Sequence, residues 1–113
     1  MNREGWVSIW FFQREGTNAD DVLRDIFHID NYNIAMQDVV GEANWDALPV
    51  TELLRRLSYS ATFAEAVLLT ANARGIFLAR RALAQYDFEY DPSKAAIPTK
   101  DDPIFIAAVR YGP

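Results

Sequence analysis

His28 is the only imidazole in the chain, and there is no cysteine to share a metal with it. A zinc site would have to be assembled from one histidine and several carboxylates, an uncommon ligand set. A lone histidine just after a helical run reads instead as a cation near a helix C-terminus, where partial positive charge is favoured. A Ser-His-Asp relay can be picked out of almost any sequence, and only geometry would make one credible. The five glycines, Gly5, Gly16, Gly41, Gly75 and Gly112, are too widely separated to form a phosphate-cradling loop or a dinucleotide fingerprint. Asp20-Asp21 and Asp101-Asp102 are adjacent pairs whose side chains diverge, which makes them poor general acid/base partners. The expectation is therefore a chain with no catalytic residue, no metal ligand and no cofactor, and not an enzyme.

Asp87, Glu89 and Asp91 carry more information. A spacing of two places them on one face of an extended strand, with neighbours roughly 6–7 Å apart. Such a row is either an ordinary solvated or edge-protecting face, or a docking stripe for Lys and Arg of another protein with nearby Tyr side chains as anchors. Trp45, in a loop between Asn44 and Asp46, either folds back as a lid on the core or stays exposed as an interface anchor. With Glu42 and Asp46 in the same loop, it joins the stripe as a candidate partner contact.

These side chains are positioned by a readable set of elements. Trp6-Val7-Ser8-Ile9-Trp10-Phe11-Phe12 is a strand apolar on both faces, with Trp6, Ser8, Trp10 and Phe12 on one and Val7, Ile9 and Phe11 on the other. It reads as a central strand covered by helices on at least one side. After a polar turn over Gln13 to Gly16, Thr17 or Asn18 caps a helix to about Phe27, with Asp20 and Asp21 in its first turn. Val22, Leu23, Ile26 and Phe27 form its buried stripe. Ile29 to Val40 is irregular with one short strand or turn, and Gly41 to Leu48 is a loop. Pro49 opens a short helix over Glu52 to Leu57.

Ser60 is placed to cap a helix over Ala61 to Arg74, closed by Gly75. Phe63, Ala64, Val67, Leu68 and Ala71 make its buried face. Ala82, Ala84, Tyr86, Phe88 and Tyr90 then alternate with Leu83, Gln85, Asp87 and Glu89, the pattern of a half-buried strand, aromatic inside and largely acidic outside. Asp91-Pro92 ends it, and Ser93 to Pro103 is a polar loop. Ile104 to Val109 is a last strand, apolar on both faces. The loop before it leaves no room for a helical crossover, so the last two strands are expected to pair antiparallel. The fold class expected is α+β: a small, mostly antiparallel sheet with helices packed on one side, as one domain over residues 1–113.

Composition bounds the rest. Half of the 113 residues are hydrophobic, with three Trp, five Tyr and seven Phe, enough to fill a core without covalent staples. Zero cysteines exclude a disulfide framework, thiol catalysis and thiolate metal sites. Eleven basic against sixteen acidic side chains give a formal charge of −5. That balance argues against a nucleic-acid partner, which wants a basic face, and serves either solubility or a basic protein partner. Met1 to Gly5 lacks the apolar run of a signal peptide, and no apolar stretch is long enough for a membrane span. The expected location is the cytoplasm.

Four segments together resemble a known family. Val7-Ser8-Ile9-Trp10, then Leu57-Ser58-Tyr59-Ser60 followed by Phe63, then Tyr86-Asp87-Phe88-Glu89-Tyr90-Asp91, and finally Phe105-Ile106 through Tyr111 are similar in order and spacing to the immunity protein 22 family. The likeness runs over nearly the whole chain, and the order of the segments is more specific than any one of them. Ala107 stands where that family favours Gly after the Phe-Ile pair. The resemblance implies a bacterial polymorphic toxin system, in which such a protein binds the C-terminal domain of a cognate toxin without catalysis. On that view the partner is a toxin domain, such as a nuclease with a basic cleft, and Asp87, Glu89, Asp91, Glu42, Trp45 and Asp46 are its candidate contacts. Two other readings stay open. One is a structural subunit, for example a homodimer pairing through a sheet edge, which leaves the oligomeric state as monomer or homodimer; the other is a small enzyme or ligand-binding domain whose polar groups meet only in space.

Overall fold

In the computed structural model, which describes residues 2–13, 23, 32–41, 46–94 and 103–112, the apolar N-terminal run forms the long strand β1, Asn2–Phe12. A 3-10 turn, Ile34–Met36, leads into β2, Gln37–Val40. Two-residue strands β3, Leu48–Pro49, and β4, Leu78–Ala79, pair with each other and enclose two helices, α1, Val50–Arg55, and α2, Ala64–Ala73. Strands β5, Arg81–Phe88, and β6, Ile104–Arg110, complete the fold. The main sheet is four-stranded and antiparallel, in the order β2-β5-β1-β6. The molecule is therefore α+β, as the patterning predicts.

β1 is central because both of its faces are apolar, and each face seeds its own cluster. Val7, Ile9 and Phe11 meet Ala82, Ala84 and Tyr86 of β5 and the buried side chains of both helices: Val50, Leu53 and Leu54 of α1, Val67 and Ala71 of α2. Trp10 and Phe12 point the other way, into a second cluster with Leu23, Leu83, Phe88 and Tyr90. The two described helices thus pack on one face. Of the helix expected up to Phe27, only Leu23 falls among the described residues, and it is fully buried in the second cluster. Arg14 to Gly16 of the polar turn, the remainder of that helix with Asp20 and Asp21, His28, and Asp101-Asp102 lie outside the described residues.

Several expectations need correcting. β5 and β6 do not pair; each flanks β1 on its own side, because the N-terminal strand is inserted between them. β5 is not half-buried, since β2 and β1 flank it and both faces are covered: Leu83 and Gln85, assigned to the outside, are fully buried. The helix expected from Ala61 starts later. Ser60–Thr62 forms a 3-10 turn, the α2 N-cap position is Phe63, and the Ser60 hydroxyl donates to the Arg55 carbonyl at 3.3 Å instead of capping α2. The short helix begins at Val50, directly after Pro49, and its first N–H is bound by the Phe77 carbonyl at 2.9 Å. Leu48, expected in a loop, belongs to β3.

The C-terminus of α2 follows expectation closely. Gly75 has φ +75°, its N–H donates to the Asn72 carbonyl, and the Ile76 N–H donates to the Ala71 carbonyl. This is a Schellman closure, and glycine is the residue that takes its left-handed conformation without a Cβ penalty.

Candidate functional site

The residues that could meet a partner gather at one end of the sheet, where β1 starts, β5 and β6 finish and β2 begins. The alternation of β5 breaks there. Asp87 has φ +55°, a left-handed conformation that Asp tolerates better than most side chains. Tyr86 accordingly belongs to the helix-side cluster, whereas Phe88 and Tyr90 cross to the Trp10 side. Opposite this reversal the β1–β5 register shifts between Asn2 and Val7, and Gly5 takes φ +80°. Two side chains hold the irregularity together. Asp87 Oδ1 accepts from the Gly5 N–H at 3.0 Å and from the Tyr111 hydroxyl at 2.8 Å. Ser8, fully buried, donates through Oγ to the Phe88 carbonyl at 2.8 Å and accepts the Tyr90 N–H at 2.9 Å. A buried hydroxyl needs such partners, because an unpaired one carries the full desolvation penalty.

The acidic stripe is consequently not formed as a strand face. Asp87 turns toward Gly5 and Tyr111; Glu89 makes an ion pair with Arg3 at 2.7 Å. Asp91 accepts from Ser93 through both the backbone N–H, 3.0 Å, and the hydroxyl, 2.7 Å, closing the turn into Pro92–Lys94. The regular alternation from which the stripe was inferred ends at the left-handed Asp87. Asp46 is exposed just before β3, while Glu42 and Trp45 lie outside the described residues.

A tyrosine cluster that sequence periodicity does not reveal adjoins Asp87. The Tyr86 ring packs edge-on against Tyr111 at 5.0 Å, Tyr59 at 6.0 Å and Phe63 at 6.4 Å, and its hydroxyl donates to the Ser58 carbonyl at 2.6 Å. The Ser58 N–H in turn donates to Asp38 Oδ2 at 3.2 Å, tying β2 to the end of α1. Burial, followed by the Asp38 carboxylate, pushes the Tyr86 phenol well above its ordinary value. The Tyr111 phenol is pushed up to about 12, first by burial and then by its hydrogen bond to Asp87. Both phenols stay neutral donors at physiological pH. Tyr59 is different: it is 52 % exposed and has φ +60°. An aromatic residue in that region is an outlier, and such strain persists only where the surroundings impose it. Tyr59 and Asp87 are the non-glycine residues with positive φ among the described residues, and Tyr111 touches both, its ring 5.7 Å from that of Tyr59.

Beside the cluster opens a surface groove of about 500 Å³. Arg3 and Glu4 of β1 form one wall, Tyr86 and Asp87 of β5 its floor, and Tyr32, Asn33 and Met36 of the turn before β2 the other wall. Gln85 fixes that turn from below, donating to the Asn33 carbonyl at 2.8 Å and accepting from the Gln37 amide at 3.1 Å. Arg3 is already engaged: besides Glu89, its guanidinium lies over the Trp6 ring at 4.2 Å. No family model, curated protein or solved structure matches the chain. Among the described residues no three His, Asp or Glu side chains converge as a metal site would require, and no helix is long and apolar enough to cross a membrane. What this end of the sheet offers is a preordered surface of phenols and carboxylates.

Proposed function

We propose that the chain is an immunity-type binding protein that neutralises a cognate bacterial toxin domain by covering it, and that it carries out no chemistry of its own. One observation supports this reading above others. The four segments that resemble the immunity protein 22 family, far apart in sequence, meet at one end of the sheet through side-chain bonds. Ser8 of the first holds Phe88 and Tyr90 of the third; Tyr86 of the third holds Ser58 of the second; Tyr111 of the fourth holds Asp87. These bonds are largely buried and fix the segments beneath a surface on which Tyr59 is exposed and Tyr111 half-buried, tyrosine being a side chain favoured at interface centres. The formal charge of −5 suits a basic partner, by speeding encounter and by opposing basic side chains in the complex.

Rescue tests the reading. The toxin domain encoded beside this chain, expressed alone in a sensitive bacterial host, is expected to arrest growth, and co-expression of this chain is expected to restore it. Unrestored growth with both proteins present and soluble would sink the proposal. A second reading, a homodimeric structural subunit, draws on the one-sided pairing of β6, which among the described strands bonds only to β1. Light scattering separates the two, since the first reading expects a monomer in the absence of toxin.

A further inference from the structure

We infer that the groove between the start of β1, the end of β5 and the turn before β2 is where the partner docks, and that its occupant is an arginine- or lysine-bearing segment of the toxin domain. The inference rests on the function proposed above and names the surface and chemistry through which it acts. Size is the first argument: an open groove of about 500 Å³ has room for a long side chain. The walls are the second. Tyr32 supplies an aromatic face, Met36 an adaptable thioether, and Glu4 and Asp87 two carboxylates, over a floor that includes the buried Tyr86. A long cationic side chain matches that set, with its stem against Met36 and Tyr32 and its charge at the carboxylates.

Charge balance is the third argument. Arg3, the cation in the lining, is neutralised by Glu89 at 2.7 Å and stacked on Trp6. Glu4 is exposed and makes no hydrogen bond or ion pair with the described residues, and both described bonds to Asp87 fall on Oδ1. The groove therefore retains acceptor capacity for a guanidinium or ammonium group. Preorganisation is the fourth argument. Gly5 and Tyr111 hold Asp87 in place, and Gln85 holds the turn that carries Asn33, so little ordering remains for binding to supply. Tyr59 packs on Tyr86 at the edge of this surface and presents a half-exposed ring as a flanking anchor.

Two linked experiments decide it. In the first, amide resonances of the isotope-labelled chain are followed during addition of a capped Gly-Arg-Gly peptide, with capped Gly-Glu-Gly as control. Shifts concentrated at Glu4, Asn33, Tyr86 and Asp87 with the arginine peptide alone are expected; shifts elsewhere, or the same response to both peptides, overturn the inference. In the second, the toxin domain is titrated against the wild-type chain, Glu4→Arg and Tyr59→Gly. Glu4→Arg changes an exposed side chain, and Tyr59→Gly relieves a positive φ, so both are expected to fold, as circular dichroism checks. Each is expected to bind at least tenfold more weakly than the wild type. Wild-type affinity in both variants overturns the groove and leaves the proposed function standing. A wild-type chain that fails to bind the domain overturns the function and this inference together.

Discussion

Asp87 shows at the scale of one residue why a pattern legible in sequence can mislead. Residues 82 to 90 alternate apolar and polar almost without fault, which is what a strand with one wet face would show. The alternation fails in space because a left-handed Asp87 reverses the faces and Ser8 substitutes for the missing ladder bonds. A polar side chain in an otherwise apolar strand, Ser8, was the available signal, since a buried hydroxyl implies a partner that needs it. The Asp87–Tyr111 bond also makes a prediction at this scale. The folded Tyr111 phenol titrates at about 12 against 10.0 for the ordinary group, so the folded state favours its neutral form. The stabilisation is fully present below pH 10 and is lost as pH rises from there through about 12. Denaturant midpoints measured across that window should fall less steeply for Tyr111→Phe than for the wild type. Identical slopes would show that Tyr111 is not held as described.

Elements are more legible in the sequence where the controlling residue is local. Gly75 closes α2 as expected because a helix C-terminus is a short-range device, and Pro49 directly precedes α1 for the same reason. Strand order was less legible. The loop between β5 and β6 suggests that the two strands pair antiparallel, yet it does not say whether a third strand lies between them; β1 does, and β5 and β6, both antiparallel to β1, run in the same direction. Partner choice is a long-range matter, decided by β1 being apolar on both faces and so able to bury itself between two neighbours.

Gly41, at the end of β2, gives this scale its test. It has φ +90°, and an added Cβ would lie 2.5 Å from the Arg80 carbonyl oxygen, whereas at Gly75, φ +75°, nothing comes within 4 Å. Gly75→Ala should therefore cost about 1 kcal/mol, the conformational penalty alone. Gly41→Ala should cost about 3 kcal/mol, since backbone must shift as well. Urea unfolding of the two variants measures the order. A larger loss for Gly75→Ala would mean that β2 does not pack against the Arg80–Arg81 segment as described.

The whole molecule is a covered sheet with one preordered end. Three carboxylates that looked like a docking stripe are bonded within the chain, to Gly5 and Tyr111, to Arg3 and to Ser93. Tyr59 and the groove beside Tyr86 offer the more coherent surface, and only the third dimension brings their residues together. Such an arrangement suits a protein that works by occupying another surface. Stoichiometry tests that claim most directly. The purified domain of the toxin proposed as the partner would be assayed for its own activity while this chain is added in measured amounts. The account predicts a linear loss of activity that reaches completion at one chain per toxin domain, with both polypeptides recovered chemically unchanged. Complete inactivation by a small fraction of an equivalent, which requires turnover, or full toxin activity at a large excess, would contradict it.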